Sequence, residues 1–439
     1  MPRLLALAAP ACLTTLLGAC VDRQVTSVDT GQDSVEVGVI PANPNRELDV
    51  LFVIDNSLSM VEENRSLVAN FGRLLAPLRA LEGGLPDLRI AVVTPDLGIA
   101  PHAYGTCDDR GGDGGRFHGA TCAALGGNPF LSDVLGPDGE RVRNYTGTLE
   151  DAFSCMADVG ADGCGFEQHL AAMAKALTPG VNPELLRPDA ALAVVIIADE
   201  DDCSAADPSM FGSAATLGDF ACHREGVVCD DDPDPAAPGP KTGCRPREGA
   251  RAANVQQFVD GLRALKSDPR RIVVIGIIGD PDEVQIGRDM AGRPAVLATC
   301  PEGGLGASEP GIRLASFINA FAPEQRALAT LCTSDLAGAM AQAGTLIRQQ
   351  FGYICLEREP ADRNPELDGV QVECSVVQEV GGIETPIPAC ASAGTTRPCW
   401  SIAPDPATCA ETPHHLRLQI DRTEAAPAGA YLTIQCVVE

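Results

Sequence analysis

The chain has 439 residues, with 60 acidic against 32 basic side chains and a formal net charge of −28. Such a surface repels a polyanion rather than gathering it by counterion release, so nucleic acid is excluded as a partner. With 45% hydrophobic residues the chain can bury a large core, and its 18 cysteines raise the question of redox compartment.

At the N-terminus, Arg3 precedes an apolar stretch from Leu4 to Leu17. It is too short for a stable transmembrane helix and reads as a secretion signal. It ends in Leu17, Gly18, Ala19, Cys20, which resembles the bacterial lipobox. The resemblance implies removal of residues 1–19 and a diacylglycerol on the Cys20 thiol; an ordinary secreted protein with a chance cysteine is the alternative. Residues 20–46, with Asp22, Arg23, Gln24, Thr26, Ser27, Pro41 and Pro44, read as a flexible tether that buries no core. Val21 stands where Gram-negative sorting uses aspartate to retain lipoproteins in the inner membrane, so the resemblance implies the outer membrane.

Setting aside Cys12 and Cys20 leaves 16 cysteines, an even number that behind an export signal reads as disulfides rather than metal or redox chemistry. Sequence does not fix the pairing; the local loops Cys107 with Cys122, Cys155 with Cys164, Cys222 with Cys229 and Cys390 with Cys399 are candidates.

A long region, 47–356, carries α/β signals. The apolar runs Leu48 to Ile54, Leu88 to Val93, Leu192 to Ala198 and Arg271 to Gly279 lack alternation, as parallel strands buried on both faces do. Between them apolar residues recur at helical spacing: Leu67, Phe71, Leu74 and Leu78, with Pro77 ending or bending the helix; Phe166, Leu170, Met173 and Leu177; Val255, Phe258, Val259 and Leu262; and Leu336, Met340, Leu346 and Ile347 behind a cap at Ser334 or Asp335. The expected fold is α/β: a doubly wound, mostly parallel sheet with disulfide-rich insertions at 95–160 and 203–250, read as surface loops. A cysteine-rich β module follows at 357–439, with Cys355 placed to staple it to the α/β region.

The first strand runs into Asp55, Asn56, Ser57, Leu58, Ser59. Alternate positions on an extended turn can place one carboxylate and two hydroxyls around one hard cation. Here the chain resembles the von Willebrand factor A-type (vWA) domain, whose Asp-x-Ser-x-Ser motif is matched by Asp55, Ser57 and Ser59. The resemblance implies a bound Mg²⁺ or Ca²⁺, an open coordination position for an acidic group of a protein or glycan ligand, and a further carboxylate from the fourth strand. Asp199 fits that carboxylate, with Glu200, Asp201 and Asp202 behind it. The family also supplies a threonine, but this chain has Gly163, Cys164, Gly165, Phe166, Glu167, Gln168 in that segment. Either the threonine is lost or Glu167 replaces it with a carboxylate, which would favour Ca²⁺ and weaken the pull on an acidic ligand. Glu167 as an ordinary first-turn helix acid is the other option. Thr94 and Asp96 are weaker candidates at the same rim. The non-metal reading is that Asp55 and Ser57 cap a helix and the acidic run is a solvated loop.

Other signals are bland. Asp108, Asp109 and Asp113 lie in the first insertion; Asp230, Asp231, Asp232 and Asp234 lie in the second, with calcium there a minor option. His223 among Cys222, Cys229 and Cys244 has irregular spacing for zinc, His414 and His415 read as surface residues, and His169 as a solvent-facing helix residue. No nucleophile elbow, zinc-protease helix, phosphate loop or dinucleotide fingerprint is present, so no enzymatic activity is expected. Two roles remain: an envelope lipoprotein that binds a partner through the metal, or a structural one in which the ion only stabilises the fold or has been lost.

Overall fold

The computed structural model describes residues 34–438 except 43–44, 82, 108–110, 231–232, 301–304, 353, 363–371, 407, 410–411 and 428. The signal segment, Cys20 and most of the tether lie outside the described residues, as do Asp108, Asp109, Asp231 and Asp232. Among the described residues no helix is long and apolar enough to cross a membrane.

The described chain opens with β1 (Ser34–Pro41), which pairs antiparallel with the strand Tyr431–Val438. This corrects the flexible reading of residues 34–41: Pro41 ends the strand rather than marking a linker, and Ile40 is buried. Then follow β2 (Glu47–Ile54), α1 (Val61–Arg79), β3 (Asp87–Val93), β4 (Leu131–Leu135), β5 (Arg141–Arg143) and α2 (Leu149–Ala157). After them come α3 (His169–Ala176), β6 (Ala191–Ala198), α4 (Val255–Arg263), β7 (Ile272–Ile278), α5 (Ile312–Asn319), β8 (Arg326–Thr330) and α6 (Ala337–Gln349). One seven-stranded sheet has the order β8-β7-β6-β2-β3-β4-β5. The pairs from β8 to β3 are parallel and the last two antiparallel. β6 is buried at every residue and β7 likewise, which is why neither shows alternation.

Helices cover both faces. α1, α2 and α6 pack with Val50, Phe52, Ala193 and Ile275 on one side; α3, α4 and α5 pack with Leu51, Val53, Val194 and Val274 on the other. Pro77 sits inside α1, two residues before its end. α6 lies against α1 where Gly344 meets the Leu74 backbone: a Cβ there would stand 2.3 Å from the Leu74 carbonyl oxygen.

The 95–160 insertion is not a surface loop throughout. β4 and β5 extend the sheet, and Phe153 of α2 stacks on Phe71 with ring centroids 3.7 Å apart. Thr148 caps α2 with a reciprocal capping box closed by Asp151. In the second insertion, Gly239–Lys241 pairs with Val284–Arg288, drawing it into a small separate sheet.

All 16 cysteines other than Cys12 and Cys20 are paired: Cys107–Cys164, Cys122–Cys155, Cys203–Cys222, Cys229–Cys244, Cys300–Cys332, Cys355–Cys409, Cys374–Cys436 and Cys390–Cys399. Of the local loops considered from sequence only Cys390–Cys399 forms. The others fail because the chain between neighbouring cysteines is committed elsewhere; Cys122 lies against α2 and so reaches Cys155. Cys222 and Cys229 pair elsewhere too, which leaves no thiolate for zinc beside His223. The C-terminal module consists of two small antiparallel sheets around Trp400, Val376, Leu418 and Ile434, completed by β1 and by Ile354–Leu356.

Candidate functional site

β2 and β6 are neighbours, so their carboxyl ends deliver Asp55 and Asp199 side by side at one rim of the sheet. The Asp55 N–H donates to the Ile197 carbonyl at 3.1 Å, fixing the chain where the strand ends. Asp55 Oδ1 accepts from the Ser57 N–H at 2.7 Å, a local turn that brings Ser57 Oγ within 3.0 Å of Ser59 Oγ. Asn64 of α1 donates to the Asp55 carbonyl at 3.3 Å. Ser57 occupies the N-cap position of the short 3₁₀ turn Leu58–Met60, but neither that turn nor α1 takes a side-chain capping hydrogen bond, so the Asp55 and Ser57 side chains do not cap a helix. The motif is pinned from outside as well. Asn56 donates to Asp113 at 3.4 Å and accepts at its carbonyl from Gly163 at 3.0 Å; a Cβ at Gly163 would stand 2.2 Å from Asn56 Oδ1.

Asp55 and Asp199 are 0% and 1% exposed, and Asp55 Oδ2 and Asp199 Oδ1 have no hydrogen-bond partner. Burial first, and the Asp55 charge second, push the Asp199 carboxyl up to about 7, although a hydrogen bond from Ser59 pulls the other way. Glu167 is 2% exposed with Oε1 unpartnered; burial and Asp55 raise it well above the usual range while a hydrogen bond with Glu200 opposes them. It precedes α3 and is no solvated helix acid. Among the described residues no Lys or Arg pairs with Asp55, Asp199 or Glu167. Ser59 and Leu58 are exposed, Leu58 at 76%, so the rim opens to solvent beside the motif.

The acidic run is likewise no solvated loop. Asp201 accepts from the Arg313 and Leu314 N–H groups at the start of α5, at 2.9 and 3.1 Å. Asp202 pairs with the buried Arg313 guanidinium at 2.9 Å and accepts from the Leu170 N–H at the start of α3 at 3.0 Å. Two of the four acids therefore organise helix starts, while Asp199 stands beside Asp55 and Glu200 beside Glu167 and Glu309.

Thr94 and Asp96 are spent elsewhere: the Thr94 hydroxyl donates to Asp113 at 2.6 Å and Asp96 accepts from Gly98 at 2.9 Å. His169 is fully buried, contrary to the solvent-facing expectation, with Nε2 3.4 Å from Asp55 Oδ2. Its position at the first residue of a helix docked on the sheet turns it inward. Sequence reasoning also missed Glu63 on α1, 1% exposed with both oxygens unpartnered among the described residues and raised chiefly by burial. Its only signal is its place two turns beyond Asp55 on the buried face of an amphipathic helix.

The residues present fit a divalent cation: three buried carboxylates and two hydroxyls, all oxygen, with orphaned carboxylate oxygens, no Lys or Arg paired to them among the described residues, and His169 alone beside Asp55. Among the described residues Asp55, Asp199 and Glu167 do not bring three ligand oxygens within 4.8 Å of one another; the trio that does come together at that distance is Cys390, Cys399 and Asp421. Its cysteines are joined in a disulfide and Asp421 binds Arg397 at 2.5 Å, so that chemistry is already used.

Comparison with protein-family models and with curated proteins gives no match. Solved structures do match. A von Willebrand factor type A protein from Catenulispora acidiphila is 12% identical, with TM-score 0.27, over 93% of this chain and 66% of that one. Proximal thread matrix protein 1 from the mussel byssus is 10% identical, with TM-score 0.29, over 73% of this chain and 51% of that one. Three N-terminal domains of the type V pili tip protein Mfa5 from Porphyromonas gingivalis are 10% identical, with TM-score 0.24, over 93% and 68%. This chain thus spans just under two thirds of the first and about half of the second.

Proposed function

We propose that this protein is an exported lipoprotein, anchored through Cys20 to the outer membrane, whose vWA-like domain binds a divalent cation, Mg²⁺ or Ca²⁺, and through it a protein or glycan partner in the cell envelope. The observation that carries the reading is the pair of buried carboxylates Asp55 and Asp199, each with an oxygen that has no hydrogen-bond partner, beside the Ser57 and Ser59 hydroxyls at an exposed rim. Asp55, Ser57, Ser59 and Asp199 would hold the ion, with Glu167 turned toward it from the loop before α3. The cation supplies a Lewis-acidic point of attachment for an acidic group. The chain's own part is to hold the donors in place and to present Leu58 as an apolar contact next to that attachment point. Disulfide pairing of every cysteine after Cys20 supports an oxidising compartment. No catalytic role is proposed.

A structural role for the ion is favoured by one feature, Glu167. A third carboxylate neutralises the cation more fully and leaves less attraction for an acidic ligand. The test is a pull-down from cell-envelope extract with the Cys20→Ser chain in Mg²⁺, Ca²⁺ or chelator, beside Asp55→Ala. Adhesion through the metal predicts capture that chelator and Asp55→Ala both abolish. Capture indifferent to both overturns it, and a metal-dependent melting temperature without metal-dependent capture selects the structural role.

A further inference from the structure

Beside the motif the fold encloses a second acidic space. It is a cavity of about 30 Å³ whose wall includes Glu167, Glu200, Asp219, Glu309 and His223, room for one ion or one water. Asp201 and Asp202 also reach it, but both are committed to the start of α5 and to Arg313. The remaining carboxylates come from separate segments: Glu167 before α3, Glu200 after β6, Asp219 in the disulfide-bridged second insertion, and Glu309 in the loop before α5. That last loop is fastened to the strand end, the Glu309 N–H donating to the Asp199 carbonyl at 2.7 Å. Glu167 lines this wall, is 2% exposed, and its Oε1 has no hydrogen-bond partner. Burial and the neighbouring Asp219 and Asp199 push Glu309 up to about 8. Arg293, which pairs with Asp289 at 2.6 Å, acts on Asp219 through its charge, and the Asp219 carboxylate accepts from the Phe220 N–H at 2.7 Å.

We propose that this cavity is a second divalent-cation site, of calcium type, with Glu167, Glu200 and Glu309 as carboxylate ligands and Asp219 completing the shell from the insertion. An oxygen-only donor set with three or four carboxylates suits Ca²⁺, which takes six to eight ligands in flexible geometry, better than Mg²⁺. Among the described residues no three of these carboxylates bring oxygens within 4.8 Å of one another. Binding therefore draws the walls together and pins the Cys203–Cys222 insertion to the rim. Glu167, hydrogen-bonded to Glu200 and within the field of Asp55, then stands between two cations, which gives a reason for a glutamate at that position. The site does not depend on the proposed function: it shares Glu167 with the motif but not Asp55, Ser57 or Ser59.

The test is calcium stoichiometry of the full exported chain with Cys20→Ser, stripped by chelator, equilibrated by dialysis against Ca²⁺ and measured by elemental analysis. Wild type is compared with Glu200→Gln/Glu309→Gln and with Asp55→Ala, folding being checked by circular dichroism and by the absence of free thiols. The proposal expects two ions in wild type and one in each variant. One ion in wild type, kept by the Gln pair and lost in Asp55→Ala, overturns the second site and leaves the motif site standing. One ion lost in the Gln pair but kept in Asp55→Ala supports the second site and shows that the motif takes no calcium; no ion in any chain overturns the second site. Should the Gln pair misfold, Asp219→Asn, an exposed change, is expected to weaken the second calcium at least tenfold, and unchanged affinity overturns the proposal.

Discussion

Replacing Asp199 by asparagine reverses the order of stability between the metal-free and metal-loaded protein. Asp199 is buried beside Asp55, which holds its carboxyl at about 7 against an ordinary 3.8. Keeping it ionised in the metal-free fold at pH 8 costs up to about 4 kcal/mol, at about 1.4 kcal/mol per tenfold change in proton affinity. Coupling to Asp55 and local relaxation reduce that to roughly 1–3 kcal/mol. A carboxyl raised in the folded state binds more protons there than when unfolded. The penalty is therefore full above pH 7 and fades as pH falls toward 4. Asn has the size of Asp without the charge, so in chelator at pH 8 Asp199→Asn melts higher than wild type, by roughly 2–4 °C per kcal/mol, and the gap closes toward pH 4.5. With cation at about 1,000 times its dissociation constant wild type gains ~4.1 kcal/mol that the variant lacks, and the order inverts. Differential scanning calorimetry in chelator and in Ca²⁺ or Mg²⁺, at pH 8 and 4.5, reads all four corners. A variant less stable than wild type in chelator at pH 8, together with equal metal shifts in both, refutes the reasoning.

Asp113→Ala removes the acceptor shared by Asn56 and Thr94 and is expected to weaken cation binding ten- to a hundredfold without touching a ligand, measured by isothermal titration. Phe153→Ala opens a cavity between Phe71 and Phe52 and is expected to cost about 3–5 kcal/mol in urea unfolding, whereas a surface-loop residue would cost under ~0.5. Removing the Cys122–Cys155 bridge by paired serine substitution is expected to cost about 3–4 kcal/mol from its loop length, seen as a lower denaturation midpoint. Cys20→Ser is expected to abolish labelling by radioactive palmitate and release the chain from the membrane fraction; labelling that persists contradicts the anchor.

The parallel strands were legible because burial on both faces leaves unbroken apolar runs such as Leu192 to Ala198. The motif residues were legible because Asp55, Ser57 and Ser59 are close in sequence and Asp199 ends a recognisable strand. β4, β5 and α2 were not, since Gly-rich and cysteine-bounded flanks mask short elements whose apolar residues, Leu131 and Phe153, are few. α5 was missed because Arg313, which reads as a surface residue, is buried to hold Asp202. Glu63, His169 and Glu309 reach the rim through tertiary packing alone, and no local pattern separates them from ordinary charged positions. The same holds for disulfide pairing, where Cys107 finds Cys164 across 57 residues instead of its sequence neighbour.

The most direct test is crystallographic: the Cys20→Ser chain crystallised with Mn²⁺, and an anomalous difference map calculated at the manganese edge. The account predicts a peak enclosed by Asp55, Ser57, Ser59 and Asp199 that disappears in Asp55→Ala. A well-ordered rim with no peak there, or with the peak unchanged in Asp55→Ala, contradicts it.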